Sequence, residues 1–116
     1  MSDLGIHNSE LATGWHCIAV TGEIDLATVP ELEMAIESVY ETKSHPLVVD
    51  LTASSFMDST GLKALVMANR RFDESGRSFA IAVSGGPVSR LIDLSGVESS
   101  MRIVEKTADL DKVESA

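Results

Sequence analysis

The chain is short of cysteine, short of cations and free of long apolar runs, and each shortage removes a class of protein. Cys17 is the single cysteine, so no internal disulfide can form. It lies inside an apolar run and reads as a small buried hydrophobe. Lys and Arg number 9 against 18 Asp and Glu, a net charge of −9. Nucleic acid is gripped through clustered Lys and Arg, so no nucleic-acid partner is expected. Anionic membrane surfaces are disfavoured on the same ground. A cationic or mixed protein surface is the more natural partner. No run approaches the ~18–20 apolar residues of a membrane span. The opening MSDLGIHNSE has neither the basic region nor the apolar stretch of a signal peptide. A reducing cytoplasm is the expected location.

What remains is ordinary globular material. Hydrophobic residues make up 44% and charged residues 23% of 116 positions. That suits one domain over residues 1–116, with a core that needs no staples. No repeat or linker interrupts it.

Residues 4–11 and 15–24 read as two strands with Gly14 near the turn, WHCIAVTGEI being rich in strand formers. Thr28-Val29-Pro30-Glu31 then reads as a helix start. Thr28 and Glu31 have capping-box spacing, and Pro30 falls where a missing N–H costs little. Leu32, Ala35, Ile36, Val39 and Tyr40 follow helical spacing until Ser44-His45-Pro46. Residues 46–51 form a short apolar run that suits a strand buried on both faces. A loop over 52–58 leads to a second helix from Ser59, with Leu62, Leu65, Val66, Asn69 and Phe72 on one side and Gly76 as its stop. Residues 78–83 read as a strand and 101–104 as the last one. A helix follows Gly85-Gly86-Pro87, and a final helix is expected over 107–115. The order ββαβαβαβα predicts an α/β fold: a mostly parallel central sheet with an antiparallel edge, and helices packed around it.

In such sheets chemistry gathers where strands run into helix N-termini. Here that place is Phe56-Met57-Asp58-Ser59-Thr60-Gly61-Leu62. A helix N-terminus offers free N–H groups to a phosphate on a hydroxyl there, and Gly61 would let the backbone approach it. A phosphoryl group adds about −1.5 to −2 charges, which beside Asp58 and the Glu23-Ile24-Asp25 loop would repel a partner tuned to the neutral form. Asp-Ser-Thr is also simply a good helix cap; the residues alone leave both readings open.

Several ordered matches resemble the STAS-domain family of bacterial anti-sigma factor antagonists. They are Val20 to Asp25, Thr28 to Leu32, Leu47 to Leu51, Phe56 to Leu62, then Ser84, Pro87, Val88, Arg90-Leu91 and Leu94 to Val97. Together they span about residues 5–105. The resemblance implies a phosphoprotein that regulates transcription in stress responses by partner switching; a monomer is expected because the sequence shows no apolar surface stripe. Unphosphorylated, it binds an anti-sigma factor that is itself a serine kinase, and so frees the sigma factor. Phosphorylation of Ser59 breaks that complex, and a metal-dependent phosphatase restores it. The implied partner surface is Gly22, Glu23, Asp25, Met57, Asp58, Ser59, Thr60 and Gly61. Thr60 and Ser55 are neighbouring hydroxyls that could compete as acceptor. Met57, ahead of the motif in a loop, is expected to be exposed.

No cofactor, metal or intrinsic catalysis is expected. Ser59 has no obvious base; His7, His16 and His45 are scattered and lack metal-ligand spacing with Cys17. A response-regulator receiver would need paired strand-end acids that Asp25 and Asp50 do not supply. The alternative is a stand-alone STAS scaffold or ligand-binding module in another complex. Trp15 reads as half-buried, Met101 as core, and Arg70 and Arg71 as solvated.

Overall fold

The computed structural model describes residues 4–113. In chain order the elements are β1 (Gly5–Glu10), β2 (His16–Ile24), α1 (Val29–Thr42), β3 (Leu47–Asp50), β4 (Ser54–Met57), α2 (Ser59–Glu74), β5 (Phe79–Ala82), α3 (Gly86–Ser95) and β6 (Arg102–Val104), with 3-10 turns at Val97–Ser99 and Thr107–Asp109. The sheet runs β1-β2-β3-β5-β6, with β4 paired to β2. Among these strands, β1 alone is antiparallel to its neighbour. The expected α/β class and the antiparallel edge are present.

Strand β2 serves two partners. Its first half, His16 to Ala19, pairs with Leu47 to Asp50. Its second half, Gly22 to Ile24, pairs with Ser54 to Met57. The expected loop over 52–58 therefore contains a strand. The reason is length: β2 has nine residues and β3 only four, so β3 leaves an unpaired edge that the next segment fills. The register slips between Gly22 and Glu23, where Gly22 holds a φ of 100°. That is a backbone conformation glycine takes without steric cost.

All three helices lie on one face of the sheet rather than around it. Leu32, Ile36 and Val39 of α1, Leu65 and Phe72 of α2, and Ile92 of α3 share one core with Ile18, Val20, Leu47, Val49 and Ile81. Met101 belongs to it as expected. The other face is flatter: Cys17, Val48, Ala80 and Ala82 lie under Trp15 and Leu110. A strap covers them where a final helix was expected. Only Thr107–Asp109 makes a helical turn. Beyond it Trp15 Nε1 donates to Asp111 O at 2.9 Å, and Val113 N donates to Thr13 O at 2.6 Å. Those bonds need an extended chain, which outcompetes a short polar helix. The last residues of the expected helix, 114–115, lie outside the described residues. Trp15 is buried rather than half-buried, at 3% exposure.

Two local expectations also change. Thr28 does not cap α1 with its side chain; it is buried and bonded backwards into the preceding loop. Arg71 is not simply solvated. It pairs with Glu37 and lies 4.0 Å over the Tyr40 ring, a cation–π contact.

Candidate functional site

The site forms at the end of the sheet where β2 runs into α1 and β4 into α2. Asp58 is the N-cap of α2, in extended conformation. Its Oδ1 accepts from Thr60 N at 2.9 Å, Gly61 N at 3.2 Å and Thr60 Oγ1 at 2.5 Å. The Thr60 hydroxyl is the largest cause holding this carboxyl below its usual value; partial desolvation opposes it, and the N–H groups of Gly61, Thr60 and Leu26 assist. Hydrogen bonds to the charged form favour it. Asp58 N donates to Ile24 O at 3.0 Å. Asp58 thus staples the 24–26 loop to the start of α2.

The 23–28 loop is built the same way. Asp25 Oδ1 accepts from Ala27 N at 3.0 Å and Thr28 N at 3.1 Å, an Asx turn. Thr28 Oγ1 accepts from Asp25 N at 2.9 Å and donates to Glu23 O at 2.8 Å. The Thr28 side chain is therefore used to hold Glu23 and Asp25 in place beside Asp58.

Ser59 is the first residue of α2 and is exposed. The bonds that lock Asp58 and Thr60 do not engage its hydroxyl. Thr60 is half-buried with its hydroxyl spent on Asp58. Ser55 is exposed on β4, beside the register slip. The first-turn N–H groups expected to cradle a phosphate are largely taken: Thr60 N and Gly61 N by the Asp58 side chain, and Leu62 N by Asp58 O at 3.2 Å.

Gly22, Glu23, Asp25, Asp58, Ser59 and Thr60 come together at this corner, whereas Met57 and Gly61 turn inward. Met57 is 3% exposed, because in a strand it alternates with Phe56 and takes the core side. Gly61 is buried for packing. A Cβ there would lie 2.7 Å from both Ile24 Cγ2 and Met57 Cγ. Its small size lets α2 start against β2 and β4, so neither residue offers a side chain to a partner. Two apolar residues absent from the sequence-based site border it instead: Leu26, 74% exposed, and Phe56, 42% exposed. Leu26 stands outside the periodicity of α1, and Phe56 would have been legible had 54–57 been read as a strand. Among the described residues no group of three His, Cys, Asp or Glu could hold a metal ion. No helix among them is long and apolar enough to cross a membrane.

The comparisons with known proteins agree with this fold. The STAS domain family model matches residues 9–110, and the chain belongs to that family. The anti-sigma-F factor antagonist RsfB of Mycobacterium tuberculosis is 34% identical over 92 residues, 79% of this chain and 75% of that protein. The anti-sigma-B factor antagonist of Staphylococcus epidermidis is 32% identical over 90 residues, 78% of this chain and 83% of that protein. The crystal structure of an anti-sigma factor antagonist from Mycobacterium paratuberculosis superposes with a TM-score of 0.82 at 29% identity, covering 91% of this chain and 89% of the other. SpoIIAA in its unphosphorylated form shares the fold, with a TM-score of 0.67 at 16% identity over 90% and 92% of the two chains.

Proposed function

We propose that this chain is an anti-sigma factor antagonist whose binding is switched off by phosphorylation of Ser59. The observation that carries the reading is the contrast within one helical turn. Asp58 and Thr60 are locked to each other, and Ser59 between them presents an exposed, unengaged hydroxyl. That the relatives are anti-sigma factor antagonists supports an anti-sigma factor as the partner class. The reading assigns that factor serine kinase activity and gives a metal-dependent phosphatase the reverse step. The chain itself is a monomeric, cytoplasmic substrate and ligand with no chemistry of its own.

The physics suits a switch. Leu26 and Phe56 give a partner apolar area beside Ser59, and protein interfaces draw most of their energy from such small desolvated centres. When the Ser59 oxygen takes the γ-phosphoryl group of ATP, ADP leaves and the hydroxyl proton passes to the kinase. The product places a dianion on the exposed first turn of α2 directly after Asp58, with most first-turn N–H groups already occupied. Burying it unpaired is costly. Turning a 99:1 equilibrium into 1:99 takes about 5.5 kcal/mol of differential affinity, within the reach of a misplaced dianion.

Partner capture with two baits, Ser59→Ala and Ser59→Asp, tests this. An anti-sigma factor kinase held by the first bait and lost from the second supports the switch. Identical captures would make Ser59 a helix residue only and the chain a STAS scaffold or ligand-binding module.

A further inference from the structure

A phosphate on Ser59 needs a counter-charge, and the helix N-terminus has little left to give. Asp58 already occupies Thr60 N and Gly61 N, and Leu62 N is bonded to Asp58 O. The charges on the adjoining loop, Glu23 and Asp25, are negative. On α2 itself, four residues after Ser59, stands Lys63, exposed like Ser59. Residues at i and i+4 of a helix lie about 5–6 Å apart at Cβ on one face. An anion N-terminal to a cation at that spacing is the favourable order. The ion pairs among the described residues join Glu10 with Lys43 and His45, Glu37 with Arg71, and Asp111 with Arg102. Lys63 is in none of them.

We propose that Lys63 is the intramolecular counter-ion of phosphorylated Ser59, a role that rests on the Ser59 switch. In the unphosphorylated protein the Lys63 ammonium is free on the exposed face of α2, within reach of an acidic group on the partner. In the phosphorylated protein it turns back one helical turn onto the phosphate. One modification then changes two contacts: it adds a dianion to the docking face and withdraws a cation from it. The pair also lets α2 keep its first turn in the phosphorylated state, so release of the partner needs no unfolding.

The test uses the full chain with phosphoserine installed at position 59 by genetic encoding, followed by 31P NMR titration of the phosphate. Its second ionisation lies near pH 6. Lys63→Met is expected to raise that midpoint by about 0.3 unit, the scale of one i,i+4 ion pair. Lys63→Arg should restore it, and Arg70→Met, farther along the same helix, should leave it in place. The proposal is overturned if Lys63→Met moves the midpoint by less than about 0.1 unit, or if Arg70→Met moves it equally. Unmodified Lys63→Met serves as the folding control, an exposed substitution expected to keep the parent's stability. Because the phosphate is installed rather than enzymatic, a negative titration refutes the Lys63 pair alone. Identical captures by the Ser59→Ala and Ser59→Asp baits refute the switch.

Discussion

Replacing Gly61 with Ala tests why the motif glycine is there. A Cβ at this position would meet Ile24 Cγ2 and Met57 Cγ at 2.7 Å, and Met57 Sδ at 3.1 Å. Carbon atoms prefer about 3.5–4.0 Å, so at least one neighbour has to move by most of an ångström. Ile24 is fully buried and Met57 nearly so, so any shift pushes into a close-packed interior. Overpacking of this kind costs about 1–3 kcal/mol. The better helix propensity of Ala returns at most ~1 kcal/mol, less in a first turn. The expected net loss is about 1–2 kcal/mol. For 116 residues the unfolding entropy is roughly 0.24 kcal/mol/K, so Tm should fall by about 4–8 °C. Thermal unfolding by circular dichroism reads this directly. Combining Gly61→Ala with Met57→Ala should cost less than the sum of the two, by ~1 kcal/mol, since the truncated side chain opens the space. A Gly61→Ala protein as stable as its parent, with strictly additive effects, would refute the packing explanation and return Gly61 to the partner surface.

Other substitutions separate structural from switching roles. Asp58→Ala removes the cap, with its bonds from Thr60 and Gly61, and should cost ~1 kcal/mol in urea unfolding. Ser59→Ala should stay within about 0.5 kcal/mol of the parent; equal losses would contradict the division of labour in this turn. Acid should loosen the β1–β2 edge through His16. Its ring is buried, with Nε2 2.9 Å from Asn8 Oδ1 and Nδ1 without a partner. Burial, then the charge of Lys43, lowers its pKa from 6.5; Glu10 opposes and His45 adds to the lowering. The folded state therefore resists the proton more than the unfolded chain. Its contribution is complete above about pH 6.5 and lost as pH falls from there through the lowered folded value. Stability measured between about pH 7 and 5 should decline more steeply in the parent than in His16→Phe, and parallel slopes would reject this role. Arg77 donates to Tyr40 O at 3.0 Å and His45 O at 2.8 Å and stacks 4.5 Å from the Phe72 ring. Arg77→Met should cost ~2 kcal/mol, and a neutral result in chemical denaturation would contradict that clamp.

Local pattern determined much of this protein. The 3.6-residue spacing of α1 and the apolar runs at 46–51 and 78–83 state helix and buried strand with no help from elsewhere, because propensity and periodicity are properties of a short window. Acid-hydroxyl-hydroxyl-glycine before an apolar helix likewise announces the start of α2. Tertiary structure decided what a window cannot contain. Ser54 to Met57 is a strand only because β2 is longer than β3 and leaves an edge to fill. That pairing, by fixing which of Phe56 and Met57 faces out, reverses their roles at the site. Thr28 has the spacing of a cap, yet the neighbouring Glu23–Asp25 loop takes its hydroxyl. Over the described residues 107–113 the expected helix gives way to a strap, because Trp15 and Thr13, about a hundred positions away in the chain, hold Asp111 and Val113 by their backbones. Hydrogen bonds across such a separation belong to the folded molecule, and no short window of sequence records them.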